Sequence, residues 1–219
     1  MHFEILVEDV SGKELLEIIV PKIIDAGLHS YKIIAYKGCG RIPKNLRTVQ
    51  DPSKRILLEQ LPRLLRGYGH TYNRPGYNAV VIVVVDCDNR NCKEFKQELN
   101  QVLESCSPRP KAFFRIAVEE IEAWLLGDRD ALCRAYPRYN QQLYAAYKQD
   151  DIMGTWENLA DIILPDGSAV LKKAAYFEIG RQKSEWAKNI GKNMNIKNNA
   201  SPSFNCFREK LEELSRAPA

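Results

Sequence analysis

Asp86 and Asp88 flank Cys87 at the end of the apolar run over residues 78–85, Asn-Ala-Val-Val-Ile-Val-Val-Val. A run this rich in valine reads as a buried, parallel strand. Side chains alternate along a strand, so the two aspartates are expected to point one way. Adjacent carboxylates repel, and burying them is costly. A hard divalent cation with oxygen ligands relieves both. An earlier strand, Phe3 to Val7, ends in the same manner at Glu8-Asp9. In a doubly wound sheet ligands gather at the carboxyl ends of strands, where both acid groups fall. Acids after strands also serve as helix caps and turn formers, so the pattern alone leaves that role open.

A third acidic group follows the next strand, Glu119-Glu120-Ile121-Glu122. On a helix Glu119 and Glu122 share a face and could add a ligand or orient water; alternatively they complement the helix dipole. Lys37, Arg41, Lys44 and Arg47 lie in a glycine-containing loop without an acid, and Lys183, Lys188, Lys192 and Lys197 follow later with only Glu185 among them. These two stretches suit phosphate contact or a solvated face. Tyr36, Tyr68, Tyr72 and Tyr77 are candidates for stacking on unpaired bases. Ser11-Gly12-Lys13 lacks the spacing of a phosphate loop.

The elements that must position these residues follow an α/β order. Strands are expected at Phe3 to Val7, Tyr31 to Tyr36, Val80 to Val85 and Ala112 to Val118. Between them come an apolar-periodic helix interrupted at Pro21, a helix from Lys54 to Leu65 disturbed by Pro62, and a helix from Cys92 to Leu103. Glu119 to Leu126 reads as a short helix. The expected fold is a mostly parallel sheet flanked by helices over residues 1–130. A helical C-terminal extension over residues 131–219 packs on it, with helices at 130–136, 139–147, 156–163 and 204–214.

The chain has 219 residues, a formal charge of +4, 45% hydrophobic and 27% charged residues, an ordinary globular composition. No stretch approaches the roughly 20 apolar residues of a membrane span. The start, Met-His-Phe-Glu-Ile-Leu-Val-Glu, reads as a strand rather than a signal peptide. Cys39, Cys87, Cys92, Cys106, Cys133 and Cys206 form no C-x-x-C pair, and free buried thiols in a reducing cytoplasm are expected.

Val7-Glu8-Asp9-Val10-Ser11, Val85-Asp86-Cys87-Asp88 and the run from Val118 through Glu122-Ala123-Trp124-Leu125-Leu126-Gly127-Asp128 resemble the DUF4276 family. The later Lys183-Ser-Glu-Trp-Ala187 and Ser201-Pro-Ser-Phe204 stretches extend the likeness over nearly the whole chain. The resemblance implies a Toprim-like fold, related to OLD-type nucleases, in which Glu8, Asp86 and Asp88 bind Mg2+ or Mn2+. It matches Glu122 to the glutamate before tryptophan in those nucleases, with Asp128 as a companion. It implies phosphodiester cleavage of DNA or RNA, and an ATPase partner of the AAA or ABC type in defence against phage. One departure stands out. Asp9 replaces a glycine, and Gly12 falls where another acid is common, with Glu14 slightly beyond. The expected function is therefore a cytoplasmic, divalent-metal-dependent nuclease. The alternative is a non-catalytic subunit that binds nucleic acid or the ATPase.

Overall fold

The computed structural model describes residues 1–46, 51–150 and 153–216. Four strands form one parallel sheet: β1 (His2–Val7), β2 (Ser30–Ala35), β3 (Ala79–Asp86) and β4 (Ala112–Ala117), in the order β2-β1-β3-β4. The chain therefore winds outward from β1 to one edge, then crosses to β3 and on to the other edge. Between the two neighbours β1 and β3 the winding reverses, and the carboxyl end of that junction is where open α/β sheets take ligands.

The period-two alternation fills both faces. Phe3, Ile5 and Val7 of β1 and Val80, Ile82 and Val84 of β3 pack with Leu15, Leu16 and Ile19 of α1 (Val10–Ile23). Leu6, Val81, Val83 and Val85 face the opposite side. There they meet α2 (Leu57–Tyr72) and α3 (Cys92–Glu104). Pro21 and Pro62 lie inside α1 and α2 and end neither. A proline removes one helical hydrogen bond, but in α2 the buried row Leu57, Leu58, Leu61 and Leu65 holds the helix to the sheet, and it runs on to Tyr72.

After β4 the chain is helical: α4 (Glu122–Leu126), α5 (Arg129–Ala135), α6 (Gln141–Ala146), α7 (Thr155–Ile163), α8 (Gly167–Lys173), α9 (Tyr176–Gly191) and α10 (Pro202–Arg216). The sequence pattern does not reveal α8 or α9. Among the residues of α9 whose burial is described, Trp186, Ala187 and Ile190 are the buried apolar positions, too sparse a stripe among polar residues to set a period. That stripe packs along α1. Trp124 of α4 stacks on Phe207 at 5.0 Å and meets Phe204 edge-on at 5.6 Å, while its Nε1 donates to Ser203 Oγ at 3.0 Å. The residues before and after 130 thus share one hydrophobic core on the α1 face. No helix among the described residues is long and apolar enough to cross a membrane.

Candidate active site

Glu8 is the first residue after β1, and Asp86 is the last of β3. The parallel register pairs Val7 with Val84, which sets Glu8 beside the end of β3. The Asp86 backbone N–H donates to Glu8 Oε2 at 3.3 Å. Burial pushes the Glu8 carboxyl up to about 7; the charges of Asp88 and Asp9 add to this, opposed by a hydrogen bond from the Cys39 thiol. Asp86 lies well above the usual carboxylate range for the same first reason, burial, with Glu8 next. Asp88 is raised by burial against the pull of Arg90, whose guanidinium stands 3.4 Å away.

Asp88 sits in the turn between β3 and α3 with a left-handed backbone, φ 48°. That turn corrects the cysteine expectation: Cys87 and Cys92 are joined in a disulfide. The strand end and the first residue of α3 are brought to a Cα separation of 5.9 Å, within bridging range. Cys39 and Cys106 are buried thiols, whereas Cys133 and Cys206 are exposed.

The third acidic group divides its work. Glu119 is not on a helix; it has φ 61° in the turn before α4. Its carboxylate accepts from Gly154 N at 2.8 Å, Thr155 N at 2.6 Å and the Thr155 hydroxyl, and so caps α7. The expected pairing of Glu119 and Glu122 on one helical face therefore does not form. Glu120 accepts from Trp156 N at 3.0 Å. Glu122 is 1% exposed. Lys183 of α9 reaches both remaining acids, 3.2 Å from Glu120 Oε1 and 3.2 Å from Glu122 Oε2; the second contact is an ion pair without an aligned hydrogen bond. Burial raises Glu122 to about 8 despite Lys183. For Lys183, burial works downward, but the charges of Glu122, Glu120, Asp86 and Asp9 outweigh it, and its pKa lies well above that of an ordinary lysine.

Glu8, Asp86, Asp88, Glu120 and Lys183 line one cleft of about 650 Å³, whose rim carries Lys37, Arg181 and Phe177. Of the basic residues singled out by sequence, Lys37 is exposed on this rim. Arg41 borders a separate depression with Arg90, and Lys44 is exposed. Arg47 lies outside the described residues. Lys188 pairs with Glu14 at 3.2 Å on the α1 side. Asp9 is an N-cap: its oxygens accept from Gly12 N and Ser11 Oγ, each at 2.7 Å. Asp128 caps α5, accepting from Ala131 N at 2.9 Å and from Asn195 N at 2.7 Å. Tyr68 and Tyr72 are not free for stacking. They stack on each other at 5.3 Å with their hydroxyls donating to the buried Glu4 at 3.1 Å and 2.8 Å, Tyr36 is buried, and Tyr77 is exposed beside Tyr72 and does not line the cleft. Arg181 and Phe177 escaped notice in the sequence because the helix that carries them did.

Among the described residues no three His, Cys, Asp or Glu side chains are drawn together as a metal cage. The donors that share the cleft are nonetheless of one kind. Glu8, Asp86 and Asp88 offer carboxylate oxygens, the ligand type of a hard divalent cation. The family model described as a domain of unknown function, DUF4276, matches residues 7–212. No curated protein and no solved structure matches the chain.

Proposed function

The chain belongs to the DUF4276 family, and we propose that within it this protein is a Toprim-like, divalent-metal-dependent nuclease that cleaves phosphodiester bonds. The observation that carries this reading is the abutment of Glu8 and Asp86 at the winding reversal of the sheet, with Asp88 two residues on in the same cleft. Burial raises the proton affinity of all three, neighbouring carboxylates add to it, and perturbed acids grouped in a cleft mark a candidate site. Glu8, Asp86 and Asp88 would hold Mg2+ or Mn2+. Such a cation, when bound, neutralises a phosphate oxygen and lowers the pKa of a water.

The chain's own residues do the rest. Glu8 and Asp86 release protons as they take up the cation, so loading is favoured above about pH 7. Lys183 lines the cleft and pairs with Glu120, which also lines it, and with the buried Glu122. Glu122 thereby fixes where Lys183 stands, and this ion pair is how it serves the site. Lys37 and Arg181 on the rim draw the phosphate backbone in. An AAA- or ABC-type ATPase partner and a role in phage defence enter through the resemblance, and a cytoplasmic setting through the free thiols of Cys39, Cys106, Cys133 and Cys206.

One observation favours a second reading. Both oxygens of Asp9 already accept a hydrogen bond at the start of α1, and Gly12 supplies no further acid. A site short of ligands would suit a non-catalytic subunit that docks nucleic acid or the ATPase.

The test is incubation of the protein with plasmid, single-stranded DNA and RNA in Mg2+ or Mn2+, beside an Asp86→Ala/Asp88→Ala variant. Metal-dependent cleavage by the wild type, reduced at least a hundredfold in the variant, is expected. Cleavage that persists in the variant sinks the assignment. No cleavage by either protein, with nucleic acid still bound, favours the non-catalytic subunit.

A further inference from the structure

Phe177 is 69% exposed. Phe3, Phe95, Phe114, Phe204 and Phe207 are all buried. The Phe177 ring stands at the rim of the cleft that contains Glu8, Asp86 and Asp88, where it can meet whatever the cleft takes. We propose that Phe177 is a stacking platform for an unpaired nucleobase, so that the substrate is single-stranded or locally opened nucleic acid rather than closed duplex. The inference rests on the nuclease reading and narrows its substrate.

Three features beside the ring support it. Gly180 lies one turn along the same face of α9 and lines the same cleft, and a side chain added there would meet nothing within 4 Å. The space next to the ring is open to a flat group. Arg181 follows Phe177 by four residues, and Lys37 stands on the same rim; they place positive charge where the phosphates flanking that base would run. Arg181 is held at 2.8 Å by Glu178 and is still 67% exposed at its side chain. In a closed duplex the base faces are stacked on one another, so only the phosphates could meet this rim. A ring is wasted on such a substrate and used by an unstacked base.

The measurement is fluorescence anisotropy of a labelled single-stranded oligonucleotide and of its duplex, in Ca2+. The proteins are the full-length wild type, Phe177→Ala and Phe177→Trp. Single strand should bind the wild type more tightly than duplex. Phe177→Ala should weaken single-strand binding about 5- to 150-fold, the range for loss of one stacked base. Phe177→Trp should retain it, and Mn2+ affinity should be the same in all three, showing that the fold is intact. Equal weakening of duplex and single strand in Phe177→Ala, or no weakening of either, overturns the inference. So does loss of single-strand binding with Phe177→Trp, because the larger ring would still stack on a base. The parent reading is checked separately by wild-type cleavage of bis(p-nitrophenyl) phosphate, a diester without bases, and its loss in Asp86→Ala/Asp88→Ala. If the wild type neither cleaves that diester nor binds Mn2+, both readings fall.

Discussion

Lys183 shows how much one side chain can decide. Its ammonium stands between Glu120 and Glu122, and the second of these is almost wholly buried. Removing one partner of a buried pair leaves an uncompensated charge, a loss of about 3–5 kcal/mol. Lys183→Met should lower stability in urea unfolding by up to that amount above about pH 8, where Glu122 is ionised. At pH 5 the loss should be smaller, since Glu122 there binds a proton and no longer needs its counter-ion. An equal loss at both pH values would mean that packing of the lysine stem, not charge, is what the pair contributes. In the sequence Lys183 looks like a phosphate contact, because its neighbours are basic and its acidic partners lie about sixty residues earlier. Charge patterning along a chain cannot show pairing across it. The aspartates are a different case. Asp86, Asp88 and Glu8 were legible because strand ends are local features, and a parallel sheet gathers strand ends by construction.

At the scale of elements, α7 depends on a residue far from it in the chain. Its N-cap residue, Gly154, has φ 75° and no side chain to offer, and Glu119 supplies the missing acceptors. Glu119→Ala should cost about 1–2 kcal/mol. Glu119→Gln, which keeps an acceptor oxygen, should cost less; urea unfolding of the two variants ranks them. If Glu119→Ala is as stable as the wild type, the cap contributes nothing. The sequence places a helix over Glu119 because acids favour a first turn, whereas the turn before α4 takes a left-handed backbone there. The four strands and the helices between them were legible from period and apolar runs. Helix α9 was not, because the apolar stripe it lays along α1 is too sparse among polar residues to set a period. That single omission hid Phe177 and Arg181 and the true setting of Lys183.

For the molecule as a whole, the raised carboxylates link stability to pH. Glu8 and Glu122 move from an ordinary 4.5 to about 7 and about 8 in the folded chain. The folded state therefore holds protons that the unfolded chain has released, and stability from these groups falls as pH rises through that window. Melting temperatures measured without metal should show Glu8→Gln gaining on the wild type from pH 5 to pH 8. A gap that stays constant across that range would show that Glu8 is not perturbed as described. Added Mg2+ or Mn2+ should restore the wild type at pH 8 and do less for the variant, because ligand binding to the folded state alone stabilises it.

The acids at the sheet end and the lysine among them are separated by nearly a hundred residues, from Asp88 to Lys183. During synthesis β1, β3 and α4 emerge before α9, so the carboxylates are made before their counter-charge. Only when α9 has left the ribosome and docked on α1 can Lys183 enter the cleft. The same step brings Phe177 and Arg181 to its rim. A molecule cut before α9 would carry the acids without Lys183, Arg181 or Phe177.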